Sequence, residues 1–264
     1  MEQHDTQSNS LPAFVRTSTF YGQLLDRDYF DCEQRYFLEK ISLLNRMVSG
    51  HGVICGLDVR LCHGGRAVTV TPGAALDRRG RILVVSSPSA PVDLGPPDEP
   101  DTREDPAEEE RRNRDDYDQD DRHDKGRWAH VVICYHECPA RPEPVMAPSC
   151  EGESACAPGR VEERYKIEIR PGRSPRIECE CSSPDLVQGG RINYPALATW
   201  ITQNCPSPKG DPCIPLANIR LRSGGCGKDD IDITIRPIVY TNDLLWDLLV
   251  GLANEAQQPR GGKA

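Results

Sequence analysis

The stretch Thr19–Asp58, TFYGQLLDRDYFDCEQRYFLEKISLLNRMVSGHGVICGLD, decides the fold, because in it an amphipathic helix runs directly into a strand. Asp26 is suited to cap the helix, its short carboxylate accepting from the free N–H groups of the first turn. Asp28 and Asp31 then place negative charge near the positive end of the helix dipole, while Lys40 and Arg46 lie toward its negative end. Apolar doublets at Tyr29–Phe30, Tyr36–Phe37 and Leu43–Leu44 recur every seven residues, two helical turns. With Ile41, Met47 and Val48 they line one face. Gly50 can take the left-handed conformation that closes a helix. The pattern predicts a long N-terminal amphipathic helix packed on a β core, with Tyr29, Phe30, Tyr36, Phe37 and Leu44 as its interaction residues.

The strands follow at once. Val53, Cys55, Leu57, Val59 and Leu61 alternate with more polar neighbours, a strand pattern. His63-Gly64-Gly65 reads as a turn and Ala67–Thr71 as a second strand. Pro72-Gly73 suits a type II turn. Ala74–Leu76 resumes the strand, Asp77–Gly80 turns again, and Arg81–Ser86 forms a third. Short strands with tight turns make an antiparallel meander, one side of which the helix is expected to cover.

Residues 93–127 break that pattern. Between Asp98 and Arg127 there are fourteen acidic and seven basic residues and almost no apolar side chains. Such a segment cannot offset its ordering entropy by burial, so it is expected to be a disordered acidic insertion. Trp128–Tyr135, WAHVVICY, is a buried strand by composition. It leads into a proline- and cysteine-rich loop, then to Val161–Arg170, where Val161, Tyr165, Ile167 and Ile169 are candidate inward residues. A short helix is expected around Pro195–Asn204, and Ile214–Arg222 with Ile231–Tyr240 as a closing hairpin. The C-terminal helix, about Asn242–Ala253, carries a leucine stripe with Asn242 as its cap.

The expected organisation is therefore α+β. Residues 1–15 form a flexible N-terminus and 16–92 a helix plus β-meander module. The acidic insertion spans 93–127, a β-rich module with the C-terminal helix 128–254, and a flexible tail 255–264.

At 264 residues with 37% hydrophobic and 6% aromatic content, the chain can bury a core but not along its whole length. The net charge of −9 resides largely in the acidic insertion, and no basic face points to nucleic acid. The start, MEQHDTQSNSLPAF, shows no charged region followed by an apolar one, and no run is apolar enough to span a bilayer. A cytoplasmic protein, released on lysis within a particle, is the expectation.

Twelve cysteines leave three fates open: a structural zinc, disulfides formed after release, or free thiols. Cys138, Cys150, Cys156 and Cys181, with His136 nearby, are the candidate zinc ligands, pinning a loop poor in apolar residues. No CxxC knuckle supports them. Cys32, Cys55, Cys62 and Cys134 read as small core residues.

Catalytic patterns are absent: there is no GxSxG, P-loop, HExxH or dinucleotide fingerprint. His130 and His136 flank the buried strand, where packed or hydrogen-bonded histidines are common. The Glu162-Glu163 and Asp229-Asp230 doublets read as solvated. The expectation is a protein that is not an enzyme.

Several motifs together resemble structural proteins of phage tail-like contractile injection systems and the attachment regions of phage tail-fibre and baseplate proteins. They are Phe20-Tyr21-Gly22-Gln23-Leu24-Leu25, Gly52-Val53 with Gly56-Leu57, and Pro72-Gly73 through Asp77 and Gly80. In the second half they are Tyr135 with Glu137-Cys138, Arg164 in EERYKIEI, and Pro215-Leu216-Ala217 with Arg236-Pro237. The resemblance implies an oligomeric adaptor, often a trimer, without catalytic residues, whose partners are itself and other tail or baseplate proteins. The acidic insertion and the cysteine-rich loop depart from a plain fibre-attachment module. The alternative is a zinc-stabilised protein-binding module unrelated to a tail particle.

Overall fold

Asp26 caps the first helix as its chemistry requires, its carboxylate accepting the Tyr29 N–H at 3.2 Å. Helix α1 (Arg27–Leu44) is 18 residues long and ends in a five-residue π-turn, Asn45–Ser49. Gly50 closes it at φ 75°, its N–H reaching the Asn45 carbonyl at 3.1 Å. The computed structural model describes residues 11–95, 127–144, 156–176, 186–188, 191–202, 210–222 and 224–257. Most of the expected acidic insertion, Cys150, Cys181, the first ten residues and 258–264 therefore lie outside the described residues.

The strand predicted to run from Val53 to Leu61 breaks at Gly56 and Leu57, which have φ of 63° and 56°. Alternation cannot register this corner, because Leu57 still points inward and is fully buried. The two halves join different antiparallel sheets. β1 (Gly52–Gly56) pairs with β4 (Gly73–Leu76), which pairs with β5 (Ile82–Val85). β2 (Val59–Cys62) pairs with β3 (Ala67–Val70), which pairs with β6 (Val92–Asp93). Gly73 therefore does not sit in a type II turn. It is needed because a Cβ there would strike the backbone of Cys55 and Leu57 in the neighbouring strand.

The second half builds a four-stranded antiparallel sheet in the order β12-β11-β7-β8. Its strands are β7 (Arg127–Pro144), β8 (Cys156–Pro171), β11 (Ile214–Leu221) and β12 (Ile231–Asp232). A small ribbon, β9 (Val187–Gln188) with β10 (Arg191–Ile192), precedes α2 (Tyr194–Ile201). WAHVVICY is the buried strand its composition predicts, from Ala129 through Cys134. The residues read as a loop after it, HECPARPEP, continue β7 and pair with β8 out to Pro144 and Cys156. Val161 points to solvent instead of inward, since among the described residues no layer lies against this outer ribbon; Tyr165, Ile167 and Ile169 do pack on the core.

The expected closing hairpin pairs only at Asn218↔Asp232 and Ile219↔Ile231. Beyond it the chain crosses to β1. There the Val53 N–H donates to the Pro237 carbonyl at 2.8 Å and the Val239 N–H to the Val53 carbonyl at 3.0 Å. Helix α3 (Asn242–Gln257) is capped by Thr241 rather than Asn242, the Thr241 hydroxyl accepting the Leu244 N–H at 3.3 Å.

One buried cluster takes Val53, Leu57, Val68, Val70, Leu83 and Val85 from the first half of the chain. From the second it takes Val131, Ile133, Ile214, Leu216 and Ile219. The sheets thus close on each other, and this corrects the expected role of the helix. No residue of α1 is buried: the inner faces of the sheets pack on each other, and the helix does not cover Ile54, Ile82 and Val84, which stay exposed on the outer side. The helix is tethered at its C-terminal end. There the Asn45 side-chain amide donates to the Gly80 carbonyl at 2.9 Å, and Gly80, at φ 83°, lies so close that a Cβ would enter the Ser42 carbonyl.

Candidate interaction surface

Helix α1 has two apolar faces with different neighbours. Residues 11–18, the first five of them expected in the flexible terminus, lie along one of them. The Phe14 ring meets Tyr36 edge-on at 6.3 Å, the Cys32 thiol approaches the Val15 carbonyl at 3.8 Å, and Thr17 hydrogen-bonds Glu33. Tyr36 is half-buried there, and Lys40 reaches its hydroxyl at 2.8 Å while lying 4.9 Å from its ring centre.

The other face is open. Phe30 is 59% exposed, Phe37 52% and Leu44 61%, with Ile41 and Val48 also exposed. Spacings of four and three residues through Phe37, Ile41, Leu44 and Val48, with Phe30 one heptad before Phe37, make this a seam-like stripe. Tyr29, at 36%, sits on its margin. Large apolar groups grouped on one exposed face mark an interaction site more often than a neutral surface. Helix α3 repeats the feature with Leu245, Trp246, Leu248, Leu249 and Leu252 exposed.

The cysteines separate by register. Cys138 faces Glu162 across the β7–β8 ladder, whereas Cys156 faces Pro144. Six residue steps of about 3.3 Å put them roughly 20 Å apart, far too far to share one tetrahedral ion. Among the described residues no group of three or more His, Cys, Asp or Glu side chains could hold a metal. Of the cysteines read as small core residues, Cys134 is buried and also disulfide-bonded to Cys213, with a Cα–Cα distance of 4.4 Å, Cys32 and Cys62 are half-buried, and Cys55 is exposed. The pairing follows from the ladder that sets Ile133 opposite Ile214. Arg170 covers the bridge, its Nη2 lying 3.3 Å from the Cys213 sulfur, and is ion-paired with Asp211 and Glu168.

Of the histidines flanking the buried strand, His130 shares a hydrogen bond of 3.0 Å with the Gly172 carbonyl, and His136 stands opposite Arg164. Asp230, read as part of a solvated doublet, is buried and accepts from Arg222 at 2.6 Å and the Gly227 N–H at 2.8 Å. Burial alone would raise its carboxyl, but these two donors outweigh that and hold it below the usual range. The doublet misled because the 3-10 turn Lys228–Asp230 points its last residue inward.

Sequence reasoning missed a cleft of about 460 Å³ beside the start of β1, lined among others by His51, Arg78, Arg176, Arg236, Ile235 and Tyr240. These residues are spread over the chain from 51 to 240, so no local spacing links them. Burial and then the Arg78 charge lower the His51 pKa, with Asp77 opposing.

Among the described residues no helix is long and apolar enough to cross a membrane. No family model and no curated protein matches the chain. Among solved structures the chain is similar to one described as a crystal structure of TssK, at 12% identity and a TM-score of 0.39. The match covers 95% of this chain and 51% of that one, so the chain spans about half the length of the protein it matches.

Proposed function

We propose that this chain is a non-enzymatic structural adaptor of a phage tail-like contractile particle, placed at the baseplate or fibre-attachment end and working as a homo-oligomer, most simply a trimer. The observation that carries the proposal is the open stripe of α1. A chain that sheds Phe30, Phe37 and Leu44 from its own core, and holds their helix by one end, presents an apolar face that another subunit covers.

The motifs that resemble tail-fibre and baseplate proteins support the reading from another side, because several of them occupy the joints of the fold. Gly56 and Gly73 let β1 and β4 approach, Asp77 and Gly80 build the turn that tethers α1, and Arg236 hydrogen-bonds the Leu216 carbonyl. A likeness that includes these joints speaks for a shared scaffold rather than a shared reaction.

The test is mass in solution by light scattering together with co-sedimentation with sheath and tube proteins. Oligomers that travel with the particle are the expected result. A strict monomer that never co-sediments would end the proposal.

A further inference from the structure

The walls of the cleft beside β1 carry three guanidinium groups and one imidazole, and no carboxylate is among the residues lining it. Arg78 is exposed and makes no hydrogen bond or ion pair among the described residues. Arg176 meets Asp232 only at 3.5 Å, with its side chain 72% exposed. Arg236 spends its Nε on the Leu216 carbonyl, and its Nη2 is buried without a hydrogen-bond partner. Like charges gathered about one space favour an anion there, although Asp232 beside Arg176 and Asp211, whose carboxyl feels the Arg78 charge, already offset part of them.

The rest of the lining selects among anions. Pro175, Pro215 and Ile238 form an apolar wall beside the arginines, backed by the buried Ile235. A small hydrated ion gains nothing from such a wall, whereas a carboxylate on an apolar stem uses both parts. The walls are also fixed in advance. Residues 237–239 are hydrogen-bonded to Val53, and Ser174 is held by Asn218, its N–H donating at 2.9 Å and its carbonyl accepting at 3.0 Å. A preformed site loses little freedom on binding.

We propose that this cleft binds a short acidic peptide segment of a partner protein. The guanidinium forks of Arg78 and Arg176 take the carboxylate, and Arg236 supplies charge from the wall. Apolar side chains flanking the carboxylate lie on Pro215 and Ile238. The site stands on its own geometry and goes beyond the adaptor reading, whichever assembly the chain enters.

The experiment is fluorescence anisotropy on the full chain with a dye-labelled, C-terminally amidated peptide, Leu-Asp-Leu-Glu-Leu, beside its amide isostere, Leu-Asn-Leu-Gln-Leu. The acidic peptide is expected to saturate at least about tenfold more tightly than the isostere. The double variant Arg78→Gln/Arg176→Gln is expected to lose about tenfold of that affinity, while Arg60→Gln, outside the cleft, keeps it. Both cleft positions are exposed enough for the variants to fold. Equal binding of the two peptides overturns the proposal, as does a double variant that binds unchanged or no saturation by about 1 mM. Displacement by inorganic phosphate at concentrations equal to the peptide also overturns it, because it identifies a small-anion site.

Discussion

Asp77 and Arg81 form an ion pair at the β4–β5 turn: the partly exposed Arg81 donates its Nε–H to the carboxylate at 2.7 Å, and Asp77 is 1% exposed. The same carboxylate accepts the Arg79 and Arg81 N–H groups at 2.8 Å each. Arg81 in turn lies 4.2 Å over the Tyr135 ring, so the turn is tied to the four-stranded sheet. Asp77→Asn leaves the shape but uncouples the guanidinium. It is expected to cost about 2–4 kcal/mol, read as a lowered urea midpoint; an unchanged midpoint would falsify this role.

Gly80 holds helix α1 against this turn, so Gly80→Ala is expected to release the helix rather than unfold the sheets. Limited proteolysis should cut between residues 45 and 50 in the variant and spare the wild type. The protected fragment should keep its cooperative unfolding.

Phe37 is more than half exposed, so Phe37→Glu should alter the stability of an isolated subunit by no more than about 0.5 kcal/mol. Light scattering should nonetheless show the oligomer lost. A large drop in melting temperature of the subunit itself would place Phe37 in the core instead.

His51 titrates below its ordinary value of about 6.5 because burial, and then Arg78, disfavour its charged form. The unfolded chain therefore binds the proton first. The stability linked to this group is present above the unfolded value and falls as pH drops through that value toward the folded one. Arg78→Gln removes one of the two causes. NMR titration should show the His51 pKa moving up, with a smaller acid loss of stability.

The Cys134–Cys213 bridge closes a separation of 79 residues. Cys134→Ala with Cys213→Ala is expected to lower unfolding stability by about 3–5 kcal/mol, chiefly by freeing the unfolded chain. The β7–β11 ladder should persist, so circular dichroism at low denaturant should not change.

What could be read along the chain was what neighbouring residues determine together. Asp26 caps α1 because its carboxylate needs only the N–H three residues on, and the Asp77–Gly80 turn is likewise local. WAHVVICY declares a buried strand by composition. What escaped was set by residues far apart. The apolar stripe of α1 showed that a face needs cover but not that the sheets had already covered each other. The disulfide depends on the register of two strands, and the cleft gathers arginines from three distant segments. Gly73 was recognised as special for a turn, when its reason was a strand passing alongside.

Strand β7 begins inside the protein and ends outside it. From Ala129 to Ile133 it is walled by β8 and β11, whereas from Glu137 to Pro144 β8 alone accompanies it among the described residues. A lone two-stranded ribbon is marginal in water. One continuous strand should therefore hold some of the slowest and some of the fastest deuterium-exchanging amides of the protein. The boundary between them falls near Tyr135 and marks where rigid body gives way to compliant arm.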